Sequence, residues 1–247
     1  MYEPDKNRIE ISVVLPAYNE AGKIETAVRQ TKQALAALTN AYEILIAEDG
    51  STDGTADVAK RIASEDPVVG HMHSDTRLGR GKALNQAFKS AHGDIVMYMD
   101  VDLSTDLSYM KPLINAIKDE QYDFATGSRM MHESDVTRSV KRRLMSTAFN
   151  FLVRMLLRSR LRDHQCGFKA FRKEALMRLL LEIEDEHWFW DTELLVRAQR
   201  NGYRVKEIPV RWEDKGGAGT KVNAVGDSLS MFSNILRLRR SLRREKF

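Results

Sequence analysis

Asp100 and Asp102 stand two residues apart, directly after the apolar run Ile95-Val96-Met97-Tyr98-Met99. In extended chain alternate side chains point to the same side, so both carboxylates face one way and can share a cation. An oxygen-only pair suits Mg2+ or Mn2+, and Mg2+ commonly binds through one or two carboxylates together with substrate phosphates. A lone Asp-x-Asp is also ordinary turn chemistry. The run before it argues for more, because a strand apolar at every position belongs in the middle of a sheet, where a surface turn is an odd continuation.

A second acidic segment, Glu48-Asp49-Gly50-Ser51-Thr52-Asp53-Gly54-Thr55, combines permissive glycines with residues that cap a following helix. The same turn can present Asp49 to a base or a ribose. Leu78-Gly79-Arg80-Gly81-Lys82-Ala83 lacks the Gly-x-x-x-x-Gly-Lys-Ser/Thr spacing and its hydroxyl, which excludes a P-loop. As a helix N-terminus it offers Arg80 and Lys82 either to a diphosphate or to solvent. Asp191 and Glu193 follow the aromatic trio Trp188, Phe189 and Trp190. They read as spare carboxylates for proton transfer, or as the capped start of a helix behind core aromatics.

These segments need a scaffold that brings them together. Ile9 to Leu15 is a β-branched apolar run ended by Pro16, and Asn19-Glu20 opens a helix whose apolar positions Ile24, Val28, Leu35 and Leu38 recur up to Asn40. Ile44 to Ile46, Val68 to Met72 and Ile95 to Met99 read as further strands, separated by helices over Thr55 to Ser64 and Arg80 to Ser90. Such alternation predicts an α/β fold with a doubly wound, mostly parallel sheet and a ligand site off the carboxyl ends of its strands. Pro16 to Glu20, Glu48 to Ser51 and Asp100 to Asp102 all fall at those ends. Past Tyr109 the rhythm weakens. Two long helical patterns, Val140 to Leu157 and Val222 to Leu238, predict a helical elaboration packed on the sheet. No linker or repeat interrupts the chain, so residues 1–247 are expected to form one domain.

With 43% apolar and 30% charged residues, a chain of 247 builds an ordinary globular core. Cys166 is the single cysteine, which excludes an internal disulfide and a zinc finger. No apolar run reaches the roughly 20 residues that span a bilayer, and the first residues lack a signal-peptide core, so a cytoplasmic location is expected. The net charge of +4 is unevenly spread: Arg138 to Arg162 holds eight Lys/Arg and no Asp or Glu. Arg237, Arg239, Arg240, Arg243, Arg244 and Lys246 form a second cluster. Leu144, Ala148, Phe151, Leu152 and Met155 make an apolar stripe within the first group, and Val222, Val225, Leu229, Phe232 and Leu236 make another before the second. Each helix reads as lying on an anionic lipid surface, or as burying its stripe in the core or an oligomer.

Taken in order, Ser12 to Glu20, Glu48 to Thr55, Gly79 to Ala83, Met99 to Leu103, Gly127-Ser128-Arg129 and Gln165 to Lys169 resemble glycosyltransferase family 2. Within that family, Asp163-His164-Gln165-Cys166-Gly167-Phe168-Lys169 with Trp190 to Leu195 is most similar to the dolichyl-phosphate sugar synthases of the β-glucosyl type. The resemblance implies a GT-A type, nucleotide-diphospho-sugar transferase fold and a nucleotide-sugar donor. UDP-glucose is favoured over the GDP-mannose of the mannose-transferring relatives. It implies a polyprenyl or dolichyl phosphate acceptor, met by a protein peripheral at the inner membrane face. By the same resemblance Pro16, Tyr18, Glu20, Asp49, Lys82 and Asp100 surround the donor, Asp100 and Asp102 carry Mg2+ or Mn2+, and Arg129, Arg142 and Ser146 hold the acceptor phosphate. Asp102 and Asp191 are the expected catalytic residues. Residues 1–110 would then bind the nucleotide-sugar, 111–221 the acceptor, and 222–247 form a basic amphipathic helix. Ser104 departs from the pattern, since mannose-type relatives often have Gln there.

A phosphate monoester, with a second pKa of about 6, is already largely deprotonated near pH 7 and needs no strong base. A sugar hydroxyl needs one, and Asp191 would then supply it. The non-enzymatic alternative is a basic nucleic-acid-binding module. The acidic edge of Glu20, Asp49, Asp100 and Asp102 counts against it, so no nucleic-acid partner is expected. The oligomeric state is left open.

Overall fold

The computed structural model describes residues 8–215 and 224–244. Its first half alternates β1 (Ile11–Ala17), α1 (Ile24–Ala36), β2 (Tyr42–Glu48), α2 (Thr55–Glu65), β3 (Val69–Met72), α3 (Arg80–Ser90) and β4 (Ile95–Met99). There follow α4 (Met110–Lys118), β5 (Phe124–Ser128), β6 (Asp135–Thr137), α5 (Val140–Leu157), β7 (Phe168–Arg172) and α6 (Lys173–Leu179). The last elements are α7 (Trp190–Arg200), β8 (Val205–Pro209), β9 (Arg211–Glu213) and α8 (Ala224–Arg244).

One sheet runs in the order β3-β2-β1-β4-β7-β5-β8, with β7 antiparallel to both neighbours and the other pairs parallel. β6 and β9 pair separately as a short parallel ribbon. The apolar side chains of β1, β2 and β4 alternate between two cores. Val13, Leu15, Ile44, Ile46 and Met97 meet α1, α2 and α4, whereas Val14, Leu45, Val96 and Tyr98 meet α3, α6 and α7. A third cluster joins Val153 and Leu157 of α5 and Val196 of α7 to Ile235, Leu238 and Leu242 of α8.

Three readings of the sequence change. β1 continues through Pro16 to Ala17, because its pairing with β4 stops at Val14 and no donor is needed on that side beyond it. Asn19 does not open α1. It turns left-handed (φ 53°) and its side-chain oxygen accepts from Thr52 N–H at 2.8 Å, so the helix starts at Ile24. The second half is more than a helical elaboration, for β5, β7 and β8 extend the main sheet. Phe168-Lys169-Ala170-Phe171-Arg172 hid this by its charges: Lys169 is fully buried.

Candidate active site

Strand ends gather along one edge of the sheet. β2, β1 and β4 are neighbours and end at Glu48, Ala17 and Met99. β5 runs the same way and ends at Ser128, while β7 runs oppositely and begins there at Phe168. Tyr18, Asp49, Asp100, Gly167 and Arg129 therefore share one rim, as a switch in strand order demands.

Asp102 is exposed and Asp100 half-exposed at this rim. Leu103 takes a φ of 51°, a left-handed conformation uncommon for a bulky residue, and the turn brings Ser104 N–H to Asp102 Oδ1 at 2.9 Å. Gly167 lies against Asp100: its carbonyl accepts Asp100 N–H at 3.0 Å, and a Cβ at position 167 would overlap the carboxylate. Desolvation pushes Asp100 above the usual carboxylate range, Arg80 pulls it back, and Asp102 beside it adds to the rise. Two oxygen ligands crowded by like charge, in a cleft with Gly167 as its wall, fit a hard divalent cation.

Arg80, the first residue of α3, spans the rim. Its Nη2 donates to Asp100 Oδ1 and its Nη1 to Asp191 Oδ2, each at 2.6 Å. Asp191 is buried and also accepts from the Tyr98 hydroxyl and from Lys169 Nζ at 2.8 Å. Burial works against its charge, but Lys169 and Arg80 hold it below the usual carboxylate range. A carboxylate with that many donors is a weak proton acceptor and a firm anchor for the guanidinium. Neither sequence reading of Arg80, diphosphate ligand or solvated turn, anticipated this bridge. The available signal was an Arg opening a helix on the rim that carries the carboxylates.

The other expected donor residues sit on the same side. Asp49 is buried, with Oδ1 accepting Leu78 N–H at 2.6 Å and Oδ2 accepting Gly79 N–H at 3.1 Å, so it secures the loop before α3. The Arg77 guanidinium lies 4.0 Å from the Tyr18 ring centroid. Glu20 pairs with Lys23 at 2.9 Å, Pro16 is the penultimate residue of β1, and Lys82 pairs with Glu186 at 3.1 Å on the surface.

Beyond Arg129 an open cavity of about 650 Å3 is lined by Arg129, Arg138, Arg143, Arg154 and Arg162. Arg129 is anchored by Asp163, whose Oδ2 and Oδ1 accept from its Nε and Nη2 at 2.7 and 3.0 Å. Despite burial, that partner keeps Asp163 well below the usual range. Arg142 and Ser146 turn elsewhere: Arg142 pairs with Asp214 at 2.5 Å, and Ser146 Oγ donates to Arg142 O at 2.7 Å. One position on, Arg143, Thr147, Asn150 and Arg154 form a continuous helical face toward the cavity.

The apolar stripe of α5 stays exposed at Leu144 (65%), Phe151 (61%) and Met155 (54%). Among the described side chains of α8, Ile235, Leu238 and Leu242 are buried, whereas Phe232 is exposed and Leu236 half-buried. Val222 and the side chains of Val225 and Leu229 lie outside the described residues. No described helix is long and apolar enough to cross a membrane.

The profile of glycosyl transferase family 2 matches residues 12–180, from β1 to the end of α6. This chain belongs to that family. It is 53% identical over 231 residues to glycosyltransferase AglD of Haloferax volcanii, which covers 93% of the family 2 chain but 37% of AglD. The chain thus spans little more than a third of that relative. It is 29% identical over 257 residues to a dolichyl-phosphate beta-glucosyltransferase of Saccharomyces cerevisiae, covering 95% of this chain and 75% of the yeast protein. Glucosyl-3-phosphoglycerate synthase from Mycobacterium tuberculosis, solved with Mn2+, UDP-glucose and phosphoglyceric acid, superposes with a TM-score of 0.68 at 19% identity, over 94% of this chain and 80% of that one. The family 2 chain shares the GT-A fold, an α/β architecture with a mostly parallel sheet.

Proposed function

We propose that this chain transfers a hexose, glucose before mannose, from a nucleoside diphosphate sugar to a polyprenyl phosphate at a membrane surface. The observation that carries the reading is the arginine-lined cavity beside Arg129, bounded by the helix that leaves Leu144, Phe151 and Met155 exposed. Arginine forks suit phosphate oxygens, and an apolar helix face flanked by Lys141, Arg143, Arg154 and Arg158 suits the interface of an anionic lipid layer. The yeast relative is named for a dolichyl phosphate acceptor, which points the same way.

In the proposed step an acceptor phosphate oxygen forms a bond to the anomeric carbon as the bond from that carbon to the diphosphate breaks. The nucleoside diphosphate leaves with the electron pair, and the anomeric configuration inverts. Asp100 and Asp102 would hold Mg2+ or Mn2+, which supplies charge neutralisation to the leaving diphosphate. Arg80 adds a second cation at the same rim, held in place by Asp191. The acceptor is already ionised near pH 7, so Asp191 is free to remain an anchor. Residues 1–110 serve the donor and 111–221 the acceptor, with Arg129, Arg143 and Thr147 on the acceptor phosphate and Tyr18, Glu20, Asp49 and Lys82 about the nucleotide.

The test supplies labelled UDP-glucose, and separately labelled GDP-mannose, with polyprenyl phosphate in vesicles and Mg2+ or Mn2+. Label extracted into organic solvent with UDP-glucose is the expected result. Label that stays in water, or that moves only to a sugar hydroxyl acceptor, overturns the reading.

A further inference from the structure

At the sheet's edge β2 and β3 run parallel, with Ile46 opposite His71 and Ala47 opposite Met72. One step further Glu48 stands beside His73, and the period of two puts Glu48, His71 and His73 on the same face. Their ligand atoms all lie within 4.8 Å of one another. This cluster is separate from the Asp100–Asp102 pair.

Each member is prepared for a ligand. Glu48 is buried and held by the Ser51 N–H, which donates to its Oε1 at 2.5 Å. Its other oxygen, Oε2, faces His73 Nδ1 at 2.5 Å. The Nε2 of His71 is buried and has no hydrogen-bond partner among the described residues, although buried polar atoms are seldom left so. His73 is half-exposed and gives the cluster its opening to solvent, while Asp75 lies 3.2 Å from its second ring nitrogen as an outer carboxylate.

We infer that Glu48, His71 and His73 form a binding site for a borderline divalent cation of the Zn2+ class, with three protein ligands and an open fourth position. Two imidazoles and one carboxylate match that class, whereas Mg2+ prefers oxygen alone. Binding displaces the proton shared by His73 and Glu48, and the half-exposed His73 ring moves out to admit the ion. The site joins the end of β2 to the loop that follows β3. That loop carries Arg77 onto the Tyr18 ring, and its Leu78 and Gly79 amides rest on Asp49, so the cation staples the loop beside the donor rim.

The test titrates the metal-stripped full chain with Co2+ in the presence of saturating Mg2+, following visible absorption, and then adds Zn2+. One Co2+ per chain, with the intense bands of a four-coordinate site that equimolar Zn2+ abolishes, is expected. His73→Ala and His71→Ala each weaken binding by at least roughly a hundredfold, since loss of an outer partner alone costs up to that much. Circular dichroism identifies any variant that has not folded; should His71→Ala fail, the surface substitution His73→Ala still decides. Asp102→Ala leaves the absorption unchanged. Absence of the bands, or their persistence in folded His73→Ala, or their loss in Asp102→Ala, overturns the inference.

Discussion

At the scale of single residues the rim separates side chains that meet ligands from side chains that hold them. Asp102 is exposed and accepts the Ser104 N–H, so Asp102→Ala is expected to change the melting temperature little while lowering transfer roughly a thousandfold, the equivalent of about 4 kcal/mol of lost charge stabilisation. Unchanged turnover at saturating Mn2+ would remove Asp102 from the metal site. Gly167 plays the opposite part, lining the cleft and packing directly against Asp100. Gly167→Ala must displace that carboxylate, and its expected signature is a weaker apparent Mn2+ affinity in activity titrations of a folded protein. Lys169 and Asp191 form a fully buried pair, and Lys169→Met leaves Asp191 short of a partner. Breaking such a pair costs on the order of 3 kcal/mol, readable as a fall in the urea midpoint with unchanged slope. The Cys166 thiol, pushed up to about 12 by burial, should resist alkylation in the native state.

At the scale of elements, α5 shows how a helix divides its labour by phase. Val153 and Leu157 face inward, Arg143, Thr147, Asn150 and Arg154 face the cavity, Phe151 stands exposed at its margin, and Leu144 and Met155 face out. The pattern Val140 to Leu157 was legible from periodicity to the residue, but the phase was not. Successive residues differ by about 100°, so packing of Val153 and Leu157 against α8 decides whether Arg142 or Arg143 meets the cavity. The same packing buries Ile235, Leu238 and Leu242 of α8 and leaves Phe232 exposed and Leu236 half-buried, the two members of the expected stripe that are described. Leu144→Glu with Met155→Glu should reduce sedimentation with anionic vesicles several-fold without lowering the melting temperature, because both side chains are already in water. Equal binding by the double variant would leave α5 without a membrane role.

At the scale of the whole molecule, buried titrating groups couple the fold to pH. Burial lowers His164 to about 4, so the imidazole is neutral in the folded chain while the unfolded chain takes up a proton near 6.5. The unfolded state therefore binds more protons between those values. Stability is full above about pH 6.5 and falls by about 3 kcal/mol as pH drops toward 4. Asp163, held low by Arg129, adds stability that is present above its unfolded value and is lost at still lower pH. Urea midpoints at pH 7 and pH 5 measure the first effect, and His164→Gln should flatten it. Sequence alone determined the chain's βα rhythm, the parallel direction of its first strands and the placement of Asp49, Asp100 and Asp102 at strand ends, because period and turn chemistry are local. Only the tertiary structure decided that β7 inverts and seats Gly167 under Asp100, that Arg80 bridges Asp100 to Asp191, and that His71 meets Glu48. Each of those contacts joins residues far apart in the chain, and long-range pairing is fixed by how the sheet closes its two cores rather than by any local pattern.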